Sequence, residues 1–275
     1  METITLNNGV KMPVLGLGTY GLSGSVCTDV IIKAFNIGFR SFDTASAYKN
    51  AEDIGNAFQQ VDMKRDEIFI TSKLSNRDQE KLNVVDALSN QLELIGLEFV
   101  DLYLMHWPYS EYFISNWRMM EEIYESGLAR AIGVCNFHEH HLVKLLKHSN
   151  VVPAINQIEI HPLLNQNKLI HYCKSKNVQV EAYTPLARMD QVLMMNTTLC
   201  ELANKYYKTV PQIILRWDIQ NGVITIPKAA KEEHIKECIE IFDFNLTEEE
   251  MCEINKLNLD YRVRYNPDTV DMKKL

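Results

Sequence analysis

The sequence predicts an α/β chain folded as a (β/α)8 TIM barrel, in one domain over residues 1–275, and three observations carry that prediction. Short runs rich in Ile, Val, Phe and Tyr alternate with amphipathic helical periods from end to end. Strands separated by such helices build βαβ units and hence a parallel sheet. Eight strand candidates can be counted, and eight units in roughly 250 residues is the size of a closed barrel.

In chain order, Thr3 to Leu6 and Val10 to Met12 flank Asn7-Asn8-Gly9, a hairpin signal. This N-terminal β-hairpin is expected to close the bottom of the barrel. Barrel strands are expected over residues 39–45, 67–74, 100–107, 130–137, 154–161 and 179–186, with weaker candidates at 223–227 and 241–245. Between them, Val84, Leu88, Leu92 and Ile95 fall on one helical face, and Leu142, Leu145 and Leu146 form another apolar stripe. Thr247 followed by Glu250 is a capping box that opens a final helix. A short, irregular polar tail follows Leu259 and leaves the expected pocket open.

Composition narrows the function. Twenty-eight Lys and Arg against 36 Asp and Glu give a net charge of −8. That balance offers no electrostatic footprint for nucleic acid or anionic lipid. The N-terminus lacks a basic start and apolar run, and no segment is long and apolar enough to span a bilayer. The 6 cysteines contain no C-x-x-C pair, which argues against a disulfide framework or zinc ribbon. The expectation is a cytoplasmic protein with reduced thiols. No apolar stripe is left over once the barrel helices are placed, so a monomer is expected.

Gly16-Leu17-Gly18-Thr19-Tyr20-Gly21 matches G-x-G-x-x-G, with Asp43 beyond it. A dinucleotide fingerprint needs a strand before the motif and a helix opening from its last Gly. Only Val14 and Leu15 precede it and Leu22-Ser23-Gly24-Ser25 follows, so it reads as a glycine-rich first loop of a barrel.

The stronger signal is positional. Asp43, Tyr48, Lys73 and His106 fall at or just past the carboxyl ends of three successive strands. Those ends line the active face of a barrel. Singly, each would pass for a satisfied polar group; together they read as a site. Lys73 in an apolar strand needs a partner, which Asp43 supplies. A nearby ammonium lowers a phenol's pKa, so Lys73 is expected to bring Tyr48 toward the operating range. His106 could then donate to a carbonyl oxygen while Tyr48 delivers the proton. Such a set suits hydride attack on a carbonyl carbon.

The segments GFRSFDTASAY, FITSKL, DLYLMHWP, RAIGVCNF, QIEIHP, EAYTPL and ITIPKA, in this order, resemble the signature segments of the aldo-keto reductases almost end to end. The resemblance implies a barrel that binds NADPH without a Rossmann fold, and a catalytic tetrad of Asp43, Tyr48, Lys73 and His106. It implies that Asn136, beside Cys135, and Gln157 hold the nicotinamide carboxamide, and that Tyr183 stacks on the ring. Thr184, Leu186 and Ile226 would follow the pyrophosphate and ribose, with Gly18, Thr19, Tyr20 and Asp43 on the facing side. Lys228 would meet the 2′-phosphate. Tyr20, Tyr48, His106 and Trp107 would surround a small carbonyl substrate. Where the family has Ser or Thr, then Arg, after the lysine, this chain has Ala229 and His234. His is charged mainly below a reference pKa of about 6.5, whereas Arg is always charged. NADPH is therefore expected to be favoured by a smaller margin, with NADH acceptance left open.

His138-Glu139-His140-His141 lacks the H-E-x-x-H spacing and is expected to be a solvated first helical turn, so no metal is expected. Two rivals remain distinct by experiment. A non-enzymatic binding barrel would not turn over NADPH with an aldehyde, and a metal-dependent barrel hydrolase would carry metal at those histidines.

Overall fold

The structure, a computed structural model, describes residues 2–275. Its first two strands, β1 (Thr3–Thr5) and β2 (Lys11–Pro13), pair antiparallel around the Asn7-Asn8-Gly9 turn. Gly9 takes φ +85°, a backbone state open to glycine. The hairpin lies across the amino ends of the barrel strands. Asn7 donates to the carbonyls of Val152, Pro153 and Asn177, and Asn8 to that of Arg130. Leu6 and Met12 are buried against Phe69, Leu102, Ile155 and Ile224, plugging the bottom as expected.

Eight parallel strands follow in sequence order: β3 (Leu17–Gly18), β4 (Ser41–Asp43), β5 (Phe69–Leu74), β6 (Val100–Met105), β7 (Ala129–Cys135), β8 (Ile155–Glu159), β9 (Gln179–Tyr183) and β10 (Ile224–Ile226). The barrel closes between β10 and β3, where Gly16 N–H donates to Thr225 O at 3.0 Å and Gly18 N–H to Pro227 O at 2.9 Å. One expectation is overturned here. Residues 241–245 form no strand; Ile241 and Phe244 are buried in the layer outside the sheet instead. The remaining barrel strand comes from the glycine-rich segment read as a loop. A Cβ on Gly16 would lie 3.0 Å from both Ile226 and Ser41, so the closing strand needs glycine where the sheet edges meet. Two residues with one glycine carry no strand periodicity, which hid β3 in the sequence.

The expected helix covers Val84–Ile95, with Val84, Leu88, Leu92 and Ile95 all buried. Full burial of each such side chain contributes about 1.5–3 kcal/mol. Gly96, at φ +77°, ends the helix. Thr247 and Glu250 form the expected reciprocal cap of the helix Glu248–Asn255. Among the described residues, no helix is long and apolar enough to cross a membrane.

Candidate active site

Strand ends decide which side chains meet. Asp43 closes β4, Lys73 is the penultimate residue of β5, and His106 follows β6 directly. Tyr48 comes from the short 3-10 turn Ser46–Tyr48 after β4. All four come together at the carboxyl face, around a cleft of about 830 Å³.

Lys73 is fully buried and its ammonium spends all three donors. They go to Asp43 Oδ1, to Thr44 O at 2.9 Å and toward Tyr48 Oη at 3.5 Å. The second oxygen of Asp43 accepts from Gln157 Nε2 at 2.8 Å. Burial alone would lower the Lys73 pKa, but Asp43 overrides it and holds the ammonium above its ordinary value.

Tyr48 reverses the sequence expectation. Burial pushes its phenol up to about 12, outweighing the opposing pull of Lys73. The phenol is therefore a proton carrier at neutral pH. Its oxygen faces an ammonium that can only donate, so its own O–H is left for the cleft. Across from it, burial, and then the charges of Lys73 and Arg264, lower His106 to about 3. His106 is a neutral imidazole, 5.9 Å from Tyr48 between ring centroids. Tyr20 stands edge-on to Tyr48 at 5.1 Å, and Trp107 is buried beside His106.

Along the other side of the cleft, Asn136 adopts φ +63°, a left-handed conformation that its short polar side chain tolerates. Its Nδ2 donates to His106 O at 3.0 Å, and its Oδ1 accepts from Tyr183 Oη at 2.7 Å. Gln157 Oε1 has only the Cys135 thiol, 3.8 Å away. Thr184, Ala187, Arg188 and Met189 all take positive φ, so the loop after β9 is held in a costly backbone arrangement of the kind that shapes ligand cradles.

Of the other expected site residues, Gly18, Tyr20, Trp107, Asn136, Gln157, Tyr183, Thr184, Leu186, Ile226 and Lys228 line the cleft with Asp43, Tyr48 and His106. Lys73 stands behind them. Thr19, Cys135 and Ala229 are buried outside the lining. Thr19 instead supports Asp43, donating to its carbonyl from backbone and hydroxyl. His234 also lies outside the lining; its ring turns onto Glu237 Oε2 at 3.0 Å.

Sequence reasoning passed over Glu181, Arg188 and Arg264. Glu181 sits in β9, fully buried, and accepts from the same Gln157 nitrogen that serves Asp43. Burial, and then the charge of Asp43, raise its carboxyl to about 8. The signal was present, since an acid inside an apolar strand is the same pattern that exposed Asp43. In the unfolded chain this carboxyl ionises near its reference value of about 4.3. The folded state thus retains a proton that the unfolded state loses, and stability falls as pH rises from about 4.3 to 8. Glu181→Gln keeps the bond to Gln157 and cannot ionise. It should therefore raise Tm at pH 8.5 by several degrees, for a gain on the order of a few kcal/mol. At pH 4.5 the gain should vanish, and thermal melts at the two pH values check this.

The histidine run opens a helix as expected and Glu139 and His140 are exposed, but His138 is half-buried and His141 buried. His138 caps the helix Glu139–Leu146, its Nδ1 lies 2.8 Å from Asp268 and its Nε2 3.0 Å from Arg262. His140 and His141 face the same Asp268. These contacts tie the C-terminal tail across the barrel mouth, so Arg264, Tyr265, Lys274 and Leu275 join the cleft wall. The tail, expected only to leave the pocket open, thus forms part of its wall.

A charged Lys–Asp pair behind a protonated tyrosine, opposite a neutral histidine, can deliver a proton and a hydrogen bond to an oxygen that gathers negative charge. A model of the Aldo/keto reductase family matches residues 14–259. Glyoxal reductase of Bacillus subtilis is 45% identical over 268 residues, covering 97% of this chain and 96% of that protein. Methylglyoxal reductase of Escherichia coli K12 is 40% identical over 267 residues, covering 96% of each. Among solved structures, an aldo-keto reductase from a deep-sea metagenome superposes with a TM-score of 0.95 at 38% identity, over 98% of this chain and 99% of that one. The Bombyx mori aldo-keto reductase in complex with NADP superposes with a TM-score of 0.90 at 34% identity, over 97% and 96%. The chain belongs to the aldo/keto reductase family. It is an NAD(P)H-dependent oxidoreductase that reduces carbonyl compounds.

Proposed function

We propose that this protein reduces small aldehydes and ketones, 2-oxoaldehydes among them, with NADPH as hydride donor and Tyr48 as general acid. One observation carries the reading: an Asp43-held ammonium 3.5 Å from the oxygen of a protonated tyrosine that faces the cleft. The relatives named for glyoxal and methylglyoxal support the substrate size.

The residues present suit a dinucleotide. Gln157 Oε1, with only a thiol for partner, can accept from a carboxamide, and the second hydrogen of Asn136 Nδ2 can donate to one. The Tyr183 ring, fixed by its bond to Asn136, offers a flat wall for the nicotinamide. Lys228 lines the cleft and, among the described residues, makes no ion pair, which leaves its ammonium for a phosphate. NADPH held there would supply hydride for the carbonyl carbon. As negative charge gathers on the carbonyl oxygen, the Tyr48 O–H transfers its proton there, and Lys73 steadies the phenolate left behind. Neutral His106 donates a second hydrogen bond to that oxygen and fixes which carbonyl face is presented. Two donors aimed at the developing charge in a partly dry site are the source of the rate. Trp107 and Tyr20 wall the cleft on either side. The free cysteines support a reducing, cytoplasmic setting, and the monomeric state remains part of this proposal.

The reading is tested by NADPH oxidation with methylglyoxal, glyoxal and simple aldehydes; no turnover with any of them would overturn it. Cofactor choice gives a second test. NADPH should be preferred, by a modest margin, because His234 stands where the family has an arginine and is turned to Glu237. His234→Arg should tighten NADPH roughly five- to 150-fold, about 1–3 kcal/mol for a restored charge-assisted hydrogen bond, and change NADH less than about twofold. Fluorescence quenching with each cofactor measures both Kd values. Equal tightening of both would show that residue 234 does not face the 2′-phosphate.

A further inference from the structure

Among the described residues, no acidic side chain pairs with the charge of Arg264. Its backbone N–H bonds to Glu159, but its guanidinium has no hydrogen-bond or ion-pair partner among the described residues. It sits instead between two rings, 5.4 Å from the centroids of Tyr20 and Tyr265, half-buried and lining the cleft. Tyr20 in turn packs edge-on against Tyr48, so the guanidinium stands one ring away from the proposed proton donor.

A guanidinium whose neighbours are aromatic rings keeps its N–H donors free, and their fork matches the two oxygens of a carboxylate or phosphate. The surrounding balance agrees. Although the chain carries a net −8, the cleft wall presents Arg188, Lys228, Arg264 and Lys274. Against them stands the side chain of Asp43, already paired with Lys73. Lys228 and Arg188 lie with the dinucleotide-side loops after β10 and β9. Arg264 lies on the Tyr20–Tyr48 side, where a substrate would sit.

We propose that Arg264 selects carbonyl substrates bearing an anionic group, carboxylate or phosphate, a few bonds from the reacting carbonyl. The inference rests on the carbonyl-reductase reading above. Tyr20 and Tyr265 position the guanidinium, and the substrate's anion completes the hydrogen bonds that the fold leaves open.

The test uses two matched pairs: succinate semialdehyde with butanal, and phosphorylated glyceraldehyde with glyceraldehyde. In the wild type, kcat/KM should be at least tenfold higher for the anionic member of one or both pairs, and the pairs separate carboxylate from phosphate. Arg264→Gln should lower that anionic value about ten- to a hundredfold, mostly through KM, and move the neutral partners less than twofold. Arg264→Lys, which keeps the charge and loses the fork, should fall between. NADPH affinity should be unchanged in both variants. Equal kcat/KM within both pairs in the wild type would overturn the proposal, as would an equal loss for neutral and anionic substrates in Arg264→Gln. Weakened NADPH binding in that variant would reassign Arg264 to the cofactor and overturn it too. If the neutral aldehydes and methylglyoxal are not reduced at all, the carbonyl-reductase reading fails first.

Discussion

Tyr48→Phe should abolish most carbonyl reduction while NADPH binds as tightly as before. The substitution removes one oxygen, and that oxygen is the only group at the cleft that combines a proton at neutral pH with an adjacent fixed ammonium. General acids of this kind contribute about 10²–10⁴ in rate. The loss should appear in kcat with chemistry rate-limiting. The ring still packs against Tyr20 and His106, so the cleft keeps its shape. Retention of more than about a tenth of the wild-type kcat, a loss under roughly 1.4 kcal/mol, would show that another group supplies the proton. Circular dichroism and the NADPH Kd separate that outcome from misfolding.

Lys73→Met should be both inactive and much less stable. The side chain is wholly buried, and its removal leaves Asp43 without a cation in a site that also holds Glu181. Breaking one partner from a buried pair costs about 3–5 kcal/mol. In a chain of this size that corresponds to a drop in Tm of about 10 °C. The double variant Asp43→Leu with Lys73→Met should recover part of this stability and none of the activity, because no buried charge is left unpaired. Complete recovery is not expected, since Gln157 loses the acceptor for one of its hydrogens. Thermal melts of the three proteins decide the matter. Equal Tm for wild type and Lys73→Met would refute the account of the buried pair.

What could be read from the sequence divides along physical lines. Asp43 and Lys73 were legible because a charged residue inside an apolar strand demands an explanation, and their places at strand ends supplied it. The helix Val84–Ile95 was legible because its apolar spacing is local. Strand β3 was not, since Leu17–Gly18 owes its place to pairing with β4 and to closing hydrogen bonds with residues some 200 positions away. Residues 241–245 misled for the converse reason: an alternating apolar run buries itself equally well outside a sheet. The direction of the Tyr48 shift depended on burial outweighing a nearby charge, a balance that sequence order does not contain. Arg264 was unreadable as a site residue because only the fold brings the tail, tied down through His138 and Asp268, onto Tyr20.

The central claim is that hydride passes to a carbonyl carbon in this cleft while Tyr48 protonates the oxygen. It is tested most directly by isotope transfer. Enzyme loaded with NADPH deuterated at the transferring position of nicotinamide C4 is mixed with methylglyoxal, and the product is read by mass spectrometry and NMR. The account predicts one deuterium per product molecule, on the carbon that was the carbonyl, from the wild type, and almost none over the same interval from Tyr48→Phe with equal NADPH bound. A product without the label, or equal labelling by the two proteins, would contradict it.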